Sequence, residues 1–337
     1  VGLNSKIAIA AILGSALAFG VAASLLPENA YQRWQLLDQT IHARAHWIYD
    51  RVHFDPTPVD VAFIGPSRVG QGINAPRLER ELAAKGLPAH VVNFSLPESG
   101  RDINYTIAKE LFSTKSPKLL VIGVVEKPSR FGHPAFKYVA DRADIVAPGY
   151  VTDFKYFSNL IYLPYRQLRL FMADLWPASL GLSKSFDPSH YAGESVDTTG
   201  SVVLPDGAIK EGERPASAAE LDRGVRKLER GMHPPILPDQ FRDEEFGDDR
   251  TYIRKIVNLA RAHGTPVAFV FIPYFTGPTT VQEQSFYGQY GPVWNAGFLR
   301  THEEWFADYG HLTRTGAYRL TDWLLEPISQ TLAAEPH

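Results

Sequence analysis

Three short apolar runs early in the chain, each followed by a stretch with helical spacing, leave few architectures open. They read Val59-Asp60-Val61-Ala62-Phe63-Ile64-Gly65, Ala89-His90-Val91-Val92-Asn93-Phe94-Ser95 and Lys118-Leu119-Leu120-Val121-Ile122-Gly123-Val124-Val125. The third is apolar almost end to end, the pattern of a strand covered on both faces. Helical periodicity follows over 75–85, stopped by Gly86, and from 102 to about 111. Parallel strands need crossovers, so this alternation predicts a parallel α/β sheet. The rhythm stops at 129 and resumes after 247 with a helix over 250–263, a strand over 266–272 and a last helix over about 315–325. The expected fold is α/β: a doubly wound, mostly parallel, three-layer sandwich in two parts, 59–128 and 248–337. A long helical insertion over 129–247 separates them.

The insertion opens with an aromatic stretch over 154–176, which could lie on a membrane, cap a site or be ordinary core. Burial is the expectation, because aromatic stripes at helical spacing are most often buried. A Gly/Pro/Asp-rich segment and a charged helix over 218–230 follow.

Residues 7–26 read IAIAAILGSALAFGVAASLL, without a charge. About twenty residues at 1.5 Å each match the roughly 30 Å hydrocarbon core of a bilayer. Residues 1–27 therefore read as a transmembrane anchor or a signal peptide. Val21-Ala22-Ala23 would suit cleavage, but the apolar run continues to Leu26 and favours an anchor. Lys6 ahead of the run sets the N-terminus in the cytoplasm. The expected location is the inner (cytoplasmic) membrane, single-pass, with the body on the periplasmic side. Residues 28–58 read as a neck helix and linker: Trp34, Leu37, Ile41, Ala45 and Ile48 recur at helical spacing, and Pro56 and Pro58 end it.

A net charge of −3 and a pI near 6.4 argue against a nucleic-acid binder, which carries a basic footprint. The chain has no cysteine, which removes disulfides, zinc thiolates and thiol nucleophiles and suits an oxidising compartment.

The first strand runs into Gly65-Pro66-Ser67-Arg68-Val69-Gly70-Gln71-Gly72. A phosphate-binding loop would need Lys and then Ser or Thr where Gln71 and Gly72 stand, and a dinucleotide fingerprint fails at Ala75. No cofactor and no metal are expected. A serine at the carboxyl edge of an open sheet is where such folds display ligands and reactive groups. It becomes nucleophilic only beside an oriented imidazole. Asp-x-x-His occurs three times, at Asp50/His53, Asp187/His190 and Asp308/His311. Only the last follows the final core strand, with Gly310 to permit a tight turn and Thr313 to cap the next helix. Ser67, His311 and Asp308 are the candidate catalytic set. His133, before Pro134, and Tyr274 are expected to be structural.

Gly65-Pro66-Ser67 and Asp308-Tyr309-Gly310-His311-Leu312-Thr313 resemble the first and last blocks of the SGNH (GDSL-type) hydrolases. They look most like the membrane-anchored branch found in O-acylation of envelope glycans. The likeness covers residues 59–128 and about 248–330. It implies a serine esterase or O-acyltransferase acting on acyl (acetyl) esters of envelope polysaccharide, or on a small ester. It also implies a multi-pass membrane acyltransferase as partner. In that family Ser67 would attack, His311 would carry the proton and Asp308 would hold the imidazole.

Two blocks depart from the pattern. The glycine after the second strand comes late, in Asn93-Phe94-Ser95-Leu96-Pro97-Glu98-Ser99-Gly100, and the third block's oxyanion-binding Asn is replaced by Glu126-Lys127. A carboxylate there would repel an oxyanion, so the hole is expected from the Ser67 N–H with Ser99 or Gly100. Arg68 would meet an acidic sugar or pair with Glu98 or Glu126, the pairing being favoured. The altered block leaves a second reading open: a non-catalytic accessory or scaffold subunit of a membrane complex, retaining the fold.

Overall fold

The computed structural model describes residues 3–126, 130–149, 152–203, 208–210, 212–231 and 235–334. Lys127 of the third block and part of the Gly/Pro/Asp-rich segment lie outside the described residues. Strands β1 (Val61–Ile64), β2 (Val91–Asn93) and β3 (Leu119–Val124) come first, and β4 (Val202–Val203) pairs antiparallel with β5 (Ile209–Lys210) in the insertion. Strands β6 (Val267–Phe271) and β7 (Val293–Asn295) then rejoin the main sheet. That sheet is parallel throughout, in the order β2-β1-β3-β6-β7.

Every residue of β1, β3 and β6 is buried because helices cover both faces. Alternate residues of β1 serve the two sides. Ala62 and Ile64 join a core with Trp34, Ile48, Ile107 and Ile253, while Val61 and Phe63 pack with Leu78, Leu320 and Leu324. The edge strand β7 was not anticipated. It is short and only partly buried, so it lacks the apolar run that announced the other four.

The expected neck is part of the body. A single helix over 31–51 is replaced by Ala30–Trp34, a 3-10 turn at Gln35–Leu37 and Arg44–His53. Trp34, Leu37, Ala45, Ile48 and Val52 are buried in the main core. Ile41, on the interrupting turn, is 48% exposed.

The N-terminal helix spans Leu3–Ser24, and within it Ser5–Ser24 is long and apolar enough to cross a membrane or to be a signal sequence. Its end is held by Arg142, which donates to the Ser24 and Leu26 carbonyls, and by Gln167, which donates to Leu26. Gln167 belongs to the insertion's aromatic helix, Tyr156–Leu175. Here the expectation of burial is only half met. Leu163, Leu170 and Ala173 face inward, but Phe157, Ile161, Tyr165, Leu168, Met172 and Leu175 form an exposed stripe, with Ile161 77% exposed. The last helix, Arg314–Ala334, outruns the expected end by continuing through Pro327, because Ile328 and Leu332 still have core to bury.

Candidate active site

Strand β1 ends at Ile64, and after Gly65-Pro66 the chain turns into the short helix Ser67–Gly72. Two glycines make room for this turn. A Cβ on Gly123 would lie 2.1 Å from the Val69 side chain and 3.4 Å from Pro66, and one on Gly65 would lie 2.8 Å from Val69. Val69 can therefore sit against the end of the sheet, with Ser67 held on the helix start above it. Asn93, at the end of β2, donates to the Val69 and Ile73 carbonyls and fastens the helix to the sheet.

The second half of the site arrives 244 residues later. A bridge between Phe306 and Leu312 pinches the chain into a loop, and Thr313 Oγ1 accepts from the Gly316 N–H to start the last helix. Inside the loop, Asp308 Oδ1 accepts from the backbone N–H groups of Gly310 and His311. His311 Nδ1 lies 2.9 and 2.8 Å from the two Asp308 oxygens, and a carboxylate can only accept, so Nδ1 carries the proton. Nε2 is then the acceptor, and it stands 2.7 Å from Ser67 Oγ. Serine, imidazole and carboxylate form one hydrogen-bonded chain in the tautomer a general base requires. The other two Asp-x-x-His pairs are unlike it. His53 bonds Glu110 at 2.8 Å, and His190 stands exposed, 3.7 Å from Asp187.

Ser67 opens into a cavity of about 370 Å³, walled by Ile41, Arg44, Gly70, Gln71 and Ser95-Leu96-Pro97 and by Val196, Asp197, Thr198 and Ser201 of the insertion. The insertion is tied down around this opening: Thr198 donates to the Gly70 carbonyl, and Asn74 bonds Thr199 at 3.1 Å.

Arg68 does not enter this cavity. It meets both Glu126 oxygens at 2.8 and 2.6 Å, donates to the Ile272 carbonyl and lies over the ring of Tyr274, 5.6 Å from its centroid. Glu126, expected to repel an oxyanion, is buried and paired. Tyr274 is buried too, and its hydroxyl bonds Glu229.

Ser99 and Gly100 do not line the Ser67 cavity. They line a separate recess of about 20 Å³ with Pro66, Arg101, Asn104 and Asp248. Glu98 takes a left-handed backbone (φ 66°), and the chain leaves the Ser67 cavity there. From this segment Ser95, Leu96 and Pro97 line Ser67's cavity, and the buried Ser95 hydroxyl has no partner among the described residues. Sequence reasoning passed over Ser95 and Arg44. Ser95 had a signal, as a polar residue just past the carboxyl end of β2. Arg44 had none, because the stretch that carries it read as a neck.

His133 is structural. Its Nε2–H donates to the Pro97 carbonyl at 2.6 Å and its Nδ1 accepts from the Ala135 N–H, while burial pushes its pKa down to about 3. Ligand atoms of His42, Glu98 and His133 lie within 4.8 Å of one another, and His42 Nε2 stands 3.0 Å from Glu98. Both nitrogens of His133 are already committed, so the cluster offers a cation two donors.

No family model matches this chain, and no curated protein matches it in sequence.

Proposed function

We propose that this protein is an extracytoplasmic, membrane-anchored SGNH-like serine esterase or O-acyltransferase acting on acyl esters of envelope polysaccharide. The observation that carries this reading is the unbroken hydrogen-bond chain from Ser67 through His311 to Asp308, opening on a cavity. In the proposed cycle Ser67 Oγ attacks the ester carbonyl carbon while His311 Nε2 takes its proton. The oxyanion collapses, the ester C–O bond breaks, and the alcohol leaves with the proton from His311. Water or a sugar hydroxyl then attacks the acyl-serine by the same steps in reverse. Asp308 fixes the imidazole and stabilises its cationic form.

The oxyanion would meet the Ser67 N–H at the start of its helix and the Ser95 hydroxyl, in place of Ser99 and Gly100. The N-terminal helix supports tethering, and so does the outward apolar stripe of the helix beside it. A multi-pass acyltransferase partner would donate the acyl group at that membrane face.

The test is turnover of a chromogenic acetyl ester by the full chain in detergent. Ser67→Ala is expected to lower kcat/KM at least ~10³-fold with the fold intact. A second reading, a non-catalytic accessory subunit, is favoured by the lack of an amide donor where Glu126 stands. Folded protein with no turnover and no labelling by a fluorophosphonate would establish that reading instead.

A further inference from the structure

Arg44 is the unexplained charge of the Ser67 cavity. It opens the Arg44–His53 helix and lines the same cavity as Ser67 and Ser95. Its guanidinium lies over the Trp47 ring, 4.4 Å from the centroid, and one end donates to the Asn93 carbonyl at 2.6 Å. Its Nε is buried with no partner among the described residues. The other interior arginines differ. Arg33, Arg68, Arg101 and Arg166 each have a carboxylate, on Glu28, Glu126, Asp249 and Glu28 respectively. Among the described residues no carboxylate lies in ion-pair reach of Arg44. Asp197, on the same cavity wall, is engaged by Thr199 and faces Arg314.

A cation withdrawn from water without a counter-ion is costly, and proteins pair such groups or keep them for a ligand. Burial pushes the Arg44 pKa down to about 9, with no neighbouring acid opposing it, so the group remains cationic at neutral pH. The Trp47 ring and the Asn93 carbonyl fix the guanidinium in place, with one end bonded and its remaining N–H groups left for an acceptor.

We propose that Arg44 is an anion-recognition residue of the Ser67 cavity, selecting esters that carry a carboxylate or phosphate group. The assignment rests on the esterase reading for its consequence, since it names which esters Ser67 would meet. Its physical basis, a guanidinium on the cavity wall with no carboxylate partner among the described residues, is independent of turnover.

The probes are 4-acetoxybenzoate and its neutral methyl ester, in which a methyl cap removes the charge while the acetyl ester is kept. Full-length protein in detergent should prefer the anionic ester in kcat/KM. Arg44→Gln should reduce that anionic-to-neutral ratio about 10–100-fold, mainly through KM, as expected for loss of a charge-assisted hydrogen bond. Arg44→Lys should restore part of the ratio. Calorimetric binding of the same two compounds to Ser67→Ala protein gives the same comparison without catalysis. Tighter binding of the anion to Ser67→Ala, lost in the Ser67→Ala/Arg44→Gln double variant, supports the assignment even if no turnover is found. Equal binding of the two probes would overturn it, as would an Arg44→Gln variant whose ratio is unchanged while both rates fall together. Failure of the esterase reading shows up differently: Ser67→Ala would leave ester turnover unaltered, whatever Arg44 does.

Discussion

Glu126 shows how a residue that reads as a defect can be neutralised by its neighbour. From sequence it stood where an amide donor belongs, with Arg68 expected to pair with it or with Glu98, and in the fold Arg68 meets both Glu126 oxygens. Removing one member of a buried pair leaves the other uncompensated. Glu126→Ala is therefore expected to cost about 3 kcal/mol, read as a lower midpoint in urea. Ser67, Asp308 and His311 were legible because each belongs to a local motif with a stated chemical need. Arg44 was not, because its significance lies in having no carboxylate partner among the described residues, which a sequence does not display, and Ser95 offered only its place just past the carboxyl end of β2.

Asp102 gives the pH prediction at this scale. Burial, with Asp153 nearby, raises its pKa from 3.8 to about 7, and the backbone N–H groups of His133 and Ile103 offset this in part. A folded pKa above the unfolded one means that Asp102's contribution is fully present below about 3.8 and is lost as pH rises through about 7. Compared with Asp102→Asn, the native protein should lose relative stability across that window, by on the order of a few kcal/mol. Paired thermal melts at pH 4.5 and 7.5 would check it; a gap that stays constant would mean Asp102 is ionised throughout.

Among the elements, strands with continuous apolar runs were the easiest to find. β1, β2, β3 and β6 lie within the segments that sequence indicated, and helix boundaries fell within a few residues except at the last helix and over 31–51. The misses share a cause: tertiary packing overrode local pattern. β7 is too short and too exposed to have a pattern, the 31–51 helix is interrupted so that its pieces can pack into the core, and Pro327 sits inside a helix whose burial outweighs it. The Tyr156–Leu175 helix is the sharpest case, since aromatic spacing marks a stripe without saying which way it faces. Its two sides should answer mutation oppositely. Leu170→Ala, fully buried, should cost about 2–4 kcal/mol. Ile161→Ser, on the exposed stripe, should stay within about 0.5 kcal/mol. Denaturant midpoints for the two variants measure the contrast.

For the whole molecule, the insertion is a working part of the fold, because it walls the cavity and is bonded to the chain that precedes the sheet. Trp47 donates to the Gly193 carbonyl and Arg51 to that of Glu194. The apolar helix is attached more loosely, with 6% of its spanning window buried. A fragment beginning at Pro27 should therefore unfold cooperatively with a Tm within a few degrees of the full chain, since it gives up the Arg142 and Gln167 bonds and packing against the Tyr156–Leu175 helix but little buried surface of its own. Differential scanning calorimetry of both proteins tests this; a molten fragment would show the helix to be a core element.

The hydrogen bond that joins Ser67 to His311 also sets a timetable. A chain still being made can present its serine, its Glu126–Arg68 pair and its aromatic helix long before the imidazole has left the ribosome. Until that final loop is delivered, the Ser67 hydroxyl lacks the imidazole acceptor that the folded protein gives it.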